Sequence, residues 1–270
     1  MVEINNIKIG DGNPFVLIAG PCVVENEKMV LRTAEEIKNI AYDLEIPFIF
    51  KSSYKKANRT SINSFKGIGD DEALKILEKT KKEFNIPILT DVHTKEEIDK
   101  ASQVADILQI PAFLSRQTEL LISAGKTGKA VNIKKGQFLA PDDMKHVAEK
   151  VESTGNKKIL LTERGTTFGY HNLVVDMRSL IIMKEFGYPV VMDATHSVQL
   201  PSKGNTSGGE PRFIKPLARA AAAVGIDALF LEVHPNPKEA LSDAGSQLPL
   251  GELKNLLIEI KGIDKITKRY

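Results

Sequence analysis

The chain has 270 residues, 42% hydrophobic and 27% charged, with a formal net charge of +2. That composition suits a globular protein with a large core and excludes a disordered, collagen-like or disulfide-framed chain. No basic run is interleaved with aromatics, no apolar run is long enough to span a bilayer, and no basic-then-apolar leader opens the sequence, so neither nucleic acid nor membrane is an expected partner; the lone cysteine fits a reducing cytoplasm.

Residues 1–13 predict a short N-terminal hairpin, with Asp11-Gly12 as its turn signal. A short, largely apolar or β-branched segment then recurs eight times, over residues 15–19, 47–51, 87–91, 107–110, 130–134, 159–162, 190–193 and 228–232. Strands buried on both faces of a parallel sheet read this way, without polar alternation. Amphipathic helices lie between them. The first carries Val30, Ala34, Ile37, Ala41 and Leu44 on one face, the second Leu74, Leu77 and Phe84, the third Ile98, Ala101 and Ala105, and the fourth Leu120, Leu121 and Ala124. Met144, Val147, Ala148 and Val151 mark the fifth, Leu180, Met183 and Phe186 the sixth, Leu217, Ala218, Ala221 and Val224 the seventh, and Leu253, Leu256, Leu257 and Ile260 the last. Eight strands alternating with eight helices predict an α/β fold, a (β/α)8 TIM barrel formed by residues 1–270 as a single domain, with an open doubly wound sheet as the structural alternative.

Each predicted strand ends on a polar residue: Cys22 after the first, Lys51, Asp91, Gln109 and Lys134 at the next four, Glu163 and Arg164 after the sixth, Asp193 and His196 at the seventh, Glu232 and His234 at the eighth. Barrel chemistry sits at that end, where loops present side chains from a rigid rim. Lys51, Lys56, Arg59, Lys134 and Arg164 would converge there. Two unit charges 4 Å apart interact by about 4 kcal/mol at an effective dielectric of 20, so such a cluster is expected to repel itself unless phosphates or carboxylates occupy it. Lys55 reads instead as a solvated loop charge. Gly165-Thr166-Thr167 and Ser207-Gly208-Gly209 offer backbone able to approach an anion or form a closing loop over residues 202–212. Cys22, His196, Glu232 and Asp243 supply one sulfur, one nitrogen and two carboxylates, a mixed set suited to a divalent transition metal (Zn, Fe or Mn), with His234 as an alternative to His196. The bland alternative for Cys22 is a small buried hydrophobe.

Seven segments, IAGPCVVE (residues 18–25), FKSSYKKANRTS (50–61), LQIPAFLSRQTELL (108–121), VNIKKGQFLAP (131–141), TERGTTFGY (162–170), DATHSVQLP (193–201) and EVHPNPKEALSDAGSQLPL (232–250), closely resemble the 3-deoxy-D-manno-octulosonate 8-phosphate synthase family, in order and over nearly the whole chain. The resemblance implies a (β/α)8 homotetramer that condenses phosphoenolpyruvate with D-arabinose 5-phosphate for the lipopolysaccharide sugar. By matching segments it implies Lys51, Lys56, Lys134, Arg164 and His196 as catalytic residues. Lys51 and Lys56 would hold the phosphoenolpyruvate carboxylate, and Lys134, Arg164 and backbone near Ala112 its phosphate. Asn58, Arg59 and Thr60 would bind arabinose 5-phosphate, Asp91 and Gln109 would contact substrate, and Arg116 would reach a neighbouring subunit's site. Cys22, His196, Glu232 and Asp243 match the metal ligands of the metal-dependent branch; the metal-independent branch carries Asn in place of Cys22 and lacks the stretch SDAGSQLP. His171 stands where Asn or Asp is usual. The nearest enzyme alternative is 3-deoxy-D-arabino-heptulosonate 7-phosphate synthase, whose loop typically reads KPRTS where this chain has Lys56-Ala57-Asn58-Arg59-Thr60; a non-catalytic sugar-phosphate-binding barrel is the other.

Overall fold

A computed structural model describes residues 1–58, 61–201 and 208–270. The strands are β1 (Val16–Gly20), β2 (Phe48–Lys51), β3 (Ile88–Asp91), β4 (Ile107–Ile110), β5 (Ala130–Lys134), β6 (Ile159–Glu163), β7 (Val190–Asp193) and β8 (Ala228–His234). All eight pair in parallel with their sequence neighbours, and β8 also pairs with β1 through Ala228↔Val16, which closes the barrel and removes both sheet edges. The open sheet is thereby excluded. Eight helices surround it: α1 (Glu27–Asp43), α2 (Asp70–Phe84), α3 (Lys95–Val104), α4 (Thr118–Lys126), α5 (Met144–Glu152), α6 (Arg178–Lys184), α7 (Ile214–Val224) and α8 (Leu250–Lys268). None of them is long and apolar enough to cross a membrane.

Successive strand residues face opposite ways, and the apolar side chains divide accordingly. One set, including Leu17, Phe48, Phe50, Ile88 and Leu108, packs between strands and helices. The other, Val16, Ile18, Ile49, Leu89, Ile107, Ala130, Leu160, Val191, Ala228 and Phe230, fills the barrel interior. Val2, Ile4 and Ile9 of the N-terminal hairpin join this inner set and plug the bottom of the barrel. The hairpin pairs Val2–Ile4 with Ile7–Ile9, so its turn falls at Asn5-Asn6 and not at the expected Asp11-Gly12. Asn5 takes the left-handed backbone (φ 53°) that a two-residue hairpin loop requires and asparagine tolerates. At the opposite end Gly20 is compulsory: a Cβ there would lie 2.0 Å from the Lys51 carbonyl oxygen, where β1 and β2 draw together below the mouth.

Candidate active site

The inward register that carries Ile49, Leu89, Ile107, Ala130 and Leu160 lower in the barrel reaches the mouth on polar residues, two or four positions along each of those strands. Lys51, Asp91, Gln109, Lys134 and Arg164 all line one cavity of about 590 Å³ at the C-terminal end. Immediately beneath it the inward residues form a hydrogen-bonded belt. Thr162 donates to Asn132 Oδ1 (2.6 Å) and Asn132 to Gln109 Oε1 (2.8 Å). Gln109 Nε2 and Ser53 Oγ both donate to Asp91. The expected substrate contacts Asp91 and Gln109 are therefore committed in part to one another, across five strands and loops, and give the mouth a rigid polar floor.

Four of the expected cations, Lys51, Lys56, Lys134 and Arg164, do gather, but not as the self-repelling cluster that the sequence predicts. Lys51 Nζ lies 2.6 Å from Glu232 Oε1 and donates to the Cys22 carbonyl (3.0 Å); Lys56 Nζ lies 3.6 Å from the same Glu232 oxygen. Lys134 Nζ lies 2.5 Å from Asp193 Oδ2 and 3.9 Å above the centre of the Phe230 ring. Each lysine has a carboxylate neighbour because a buried ammonium without one would be far costlier. Burial alone would raise the Glu232 and Asp193 carboxyls. His196 with the lysines outweighs it, holding both well below the usual carboxylate range. Lys134 is lowered as well, in its case against the charged form: burial lowers it more than Asp193 raises it. Arg164 differs from the lysines. Its Nη2 donates to Gln199 Oε1 (2.8 Å), while buried Nη1 has no hydrogen-bond partner among the described residues. An orphaned guanidinium nitrogen lining a cavity is a place for an anion's oxygen.

Three of the four expected metal ligands converge, and the fourth, His196, stands beside two of them. Donor atoms of Cys22, Glu232 and Asp243 all lie within 4.8 Å of one another. His196 Nε2 is 3.5 Å from Glu232 Oε1 and 4.0 Å from Asp243 Oδ2, and its Nδ1 is held by Asp193 Oδ2 at 2.7 Å. That outer contact fixes the ring and leaves Nε2 as the inward donor. Glu232 Oε2 is buried with no hydrogen-bond partner among the described residues. A sulfur, an imidazole and two carboxylates, one of them with an orphaned oxygen, fit a divalent transition metal. Cys22 is accordingly not packed as a small hydrophobe: its Sγ is 3.0 Å from Ser242 Oγ and 3.3 Å from Asp243 Oδ2. Burial chiefly, then Asp243 and Glu232, push the thiol upward against the smaller pull of Lys56 and Lys51, and coordination to a divalent metal would favour the thiolate. His234 stands elsewhere, 3.7 Å from Glu25, with Nδ1 accepting the Asn236 N–H, and is not the alternative ligand.

Asn58 and Ala112, the latter in a single 3-10 turn (Ala112–Leu114), line the cavity; Arg59 and Thr60 lie outside the described residues. Arg116 is exposed and does not line this cavity. Lys55 is not a freely solvated charge, since it pairs with Glu97 (2.7 Å) and Asp70 (3.2 Å). Thr166–Thr167 pairs with Leu173–Val174 as an ordered ribbon instead of an open glycine loop, and Gly208–Gly209 pairs with Gln199–Leu200. Ser207 and residues 202–206 of the expected closing loop lie outside the described residues. His171 adopts φ 55°, which explains why Asn or Asp is usual there, and its Nδ1 is 2.7 Å from the Pro201 carbonyl oxygen.

Sequence reasoning missed Phe230, which lies under Lys134 and 5.5 Å from Lys51; within an apolar strand it reads only as core. It also missed Asn132, Thr162 and Ser53. Counting by twos from Leu160 or Ala130 along the inward face would have found the first two.

The chain matches the DAHP synthetase I family over residues 1–269. It is 55% identical over 268 residues to the 2-dehydro-3-deoxyphosphooctonate aldolase of Trichlorobacter lovleyi, covering 99% of this chain and 98% of that one. The proteins of the same name from Geobacter metallireducens and Francisella tularensis subsp. holarctica are 55% and 53% identical, with the same coverage. The chain belongs to the DAHP synthetase I family and, within it, to the full-length kin of 2-dehydro-3-deoxyphosphooctonate aldolases, the 3-deoxy-D-manno-octulosonate 8-phosphate synthases.

Proposed function

We propose that this enzyme condenses phosphoenolpyruvate with D-arabinose 5-phosphate and water, giving 3-deoxy-D-manno-octulosonate 8-phosphate and inorganic phosphate. The observation that carries this is the cavity itself, lined by Lys134, the half-satisfied Arg164, Lys56 and Asn58, and by Asp243 of the sulfur–carboxylate group. The relatives' name describes the same product, since a 2-dehydro-3-deoxyoctonate is a 3-deoxyoctulosonate. Carbon 3 of phosphoenolpyruvate bonds to the aldehyde carbon, whose oxygen takes up a proton. Water adds at carbon 2, and the bond from carbon 2 to the phosphate oxygen breaks, leaving the ketone and free phosphate.

Arg164 and Lys134, with backbone near Ala112, hold the enol phosphate; Lys56 holds the carboxylate, with Lys51 sharing its charge between that carboxylate and Glu232. Asn58, Arg59 and Thr60 bind the aldose phosphate, and Asp91 and Gln109 floor the space between the reactants. Fixing two small anions within reach removes much of the entropic barrier to carbon–carbon bond formation. Cys22, His196, Glu232 and Asp243 would hold a divalent metal (Zn, Fe or Mn), which when bound supplies Lewis acidity and a template for the aldehyde or water. The exposed position of Arg116, outside its own cavity, supports a homotetramer in which it serves a neighbour's aldose phosphate. A cytoplasmic setting suits a lone thiolate ligand.

Phosphate release with each aldose phosphate tests the assignment. We expect kcat/KM for D-arabinose 5-phosphate to exceed that for D-erythrose 4-phosphate by ~100-fold or more, because a site that hydrogen-bonds an extra hydroxyl rejects the shorter sugar. The reverse preference would assign the sister heptulosonate reaction. No phosphate released with either sugar would leave a binding barrel.

A further inference from the structure

Two buried charges stand directly behind the proposed phosphate cations. Lys135 follows Lys134 and Glu163 precedes Arg164, so strand alternation turns both away from the cavity, and neither lines it. Their side chains are 0% and 1% exposed, and Lys135 Nζ lies 3.5 Å from Glu163 Oε1. Glu163 grips the turn that launches Arg164: Oε1 accepts the N–H of Arg164 (2.9 Å) and of Gly165 (2.6 Å), and Oε2 accepts from Ser179 Oγ at 2.5 Å. Lys135 ties the loops after β5 and β6 together, donating to Thr166 Oγ1 (2.9 Å) and to the Leu139 carbonyl (3.3 Å). The backbone adds two links between these adjoining chains, Lys135 N–H to Thr162 O in β6 at 2.8 Å and Thr167 N–H to Gln137 O at 2.9 Å.

A buried ion pair is a poor device for stability alone, because well-packed apolar residues of similar size often do as well. What this pair does is fix two adjacent chains at the residues next to Lys134 and Arg164. We propose that Lys135 and Glu163 are positioning residues, a buried ion pair that sets the spacing and aim of Lys134 and Arg164 and thereby the affinity for a phosphate monoester. This rests on the assignment above of Lys134 and Arg164 to the enol phosphate. Displacement of a binding group by about 1 Å is enough to cost ~100-fold, so a modest rotation of the Arg164 turn should be felt.

The test uses the full-length enzyme, with inorganic phosphate as the probe. In the double variant Lys135→Met/Glu163→Gln no lone buried charge remains. We expect its inhibition constant for inorganic phosphate and its KM for phosphoenolpyruvate to rise ~10-fold, while KM for the aldose phosphate stays within about twofold. Glu163→Gln alone keeps an acceptor for the Arg164 and Gly165 N–H groups and should shift the same constants only ~3-fold. Unchanged phosphate inhibition in the folded double variant, or an equal rise in both KM values, overturns the proposal. Should the double variant not fold, Glu163→Gln and Ser179→Ala replace it, and unchanged phosphate inhibition in both overturns the proposal equally. Arg164→Ala separates the two levels. Where it weakens phosphate inhibition and the pair's variants do not, only the positioning role fails; where it too has no effect, the phosphate assignment fails and takes the positioning role with it.

Discussion

Replacing Arg164 by alanine is expected to lower kcat/KM for phosphoenolpyruvate about 100- to 1000-fold while leaving thermal stability nearly unchanged. Arg164 is buried, lines the cavity and makes a single side-chain hydrogen bond, to Gln199, with Nη1 unpaired among the described residues. A hydrogen bond from a charged group contributes ~1.5–3 kcal/mol, and a fork makes two to one phosphate. At about 1.36 kcal/mol per tenfold of rate, two such bonds span ~150- to 25,000-fold, and the expected loss lies in the lower part of that span because Lys134 still faces the phosphate. The folded protein has little to lose: Arg164 forms no ion pair with a described carboxylate within 4 Å, unlike Lys51 and Lys134. Lysine at this position should recover only part of the loss, because it restores the charge without the planar fork. Steady-state kinetics with each substrate varied, beside a thermal melt, checks both halves. A collapse in melting temperature with the residual activity intact would assign Arg164 to the fold instead.

Removing the thiol is expected to have the second large effect. The Cys22→Asn protein should bind Co²⁺ at least ~100-fold more weakly than the parent and lack the near-ultraviolet sulfur-to-cobalt absorption band. Loss of an outer partner of a metal ligand costs 10- to 100-fold in affinity, so loss of a direct donor belongs at or beyond the top of that range. The cation-free protein should melt at nearly the same temperature, since the thiol's polar contacts are to Ser242 and Asp243 on an adjoining loop. Retention of the sulfur-to-cobalt band, or of parent affinity, would remove Cys22 from the ligand set.

Much of this was legible in the sequence, for identifiable reasons. Parallel barrel strands are buried on both faces, so their uninterrupted apolar runs and the first polar residue after each run mark the strand ends; Lys51, Asp91, Lys134 and Asp193 close β2, β3, β5 and β7 as predicted. The metal donors were legible as residue types at strand ends, and barrel closure brings β8 beside β1. What the sequence concealed is pairing. Nothing in the spacing of Lys134 and Asp193, or of Lys51 and Glu232, shows that carboxylates interleave the cations; that depends on strands meeting in three dimensions. Hairpin geometry was misplaced for a local reason, because Asn5-Asn6 and Asp11-Gly12 both suit a left-handed turn and only the register of Val2 against Ile9 decides between them. His234 failed as a ligand because it lies two residues farther along β8 than Glu232, where its side chain stands beside Glu25.

A crystal structure of the enzyme with phosphoenolpyruvate would probe the cationic cup itself. Phosphate oxygens within hydrogen-bond distance of Arg164 Nη1 and Lys134 Nζ, and the carboxylate beside Lys56, is the outcome expected. Phosphoenolpyruvate bound away from the barrel mouth, with Arg164 still bonded to Gln199 alone, would contradict it.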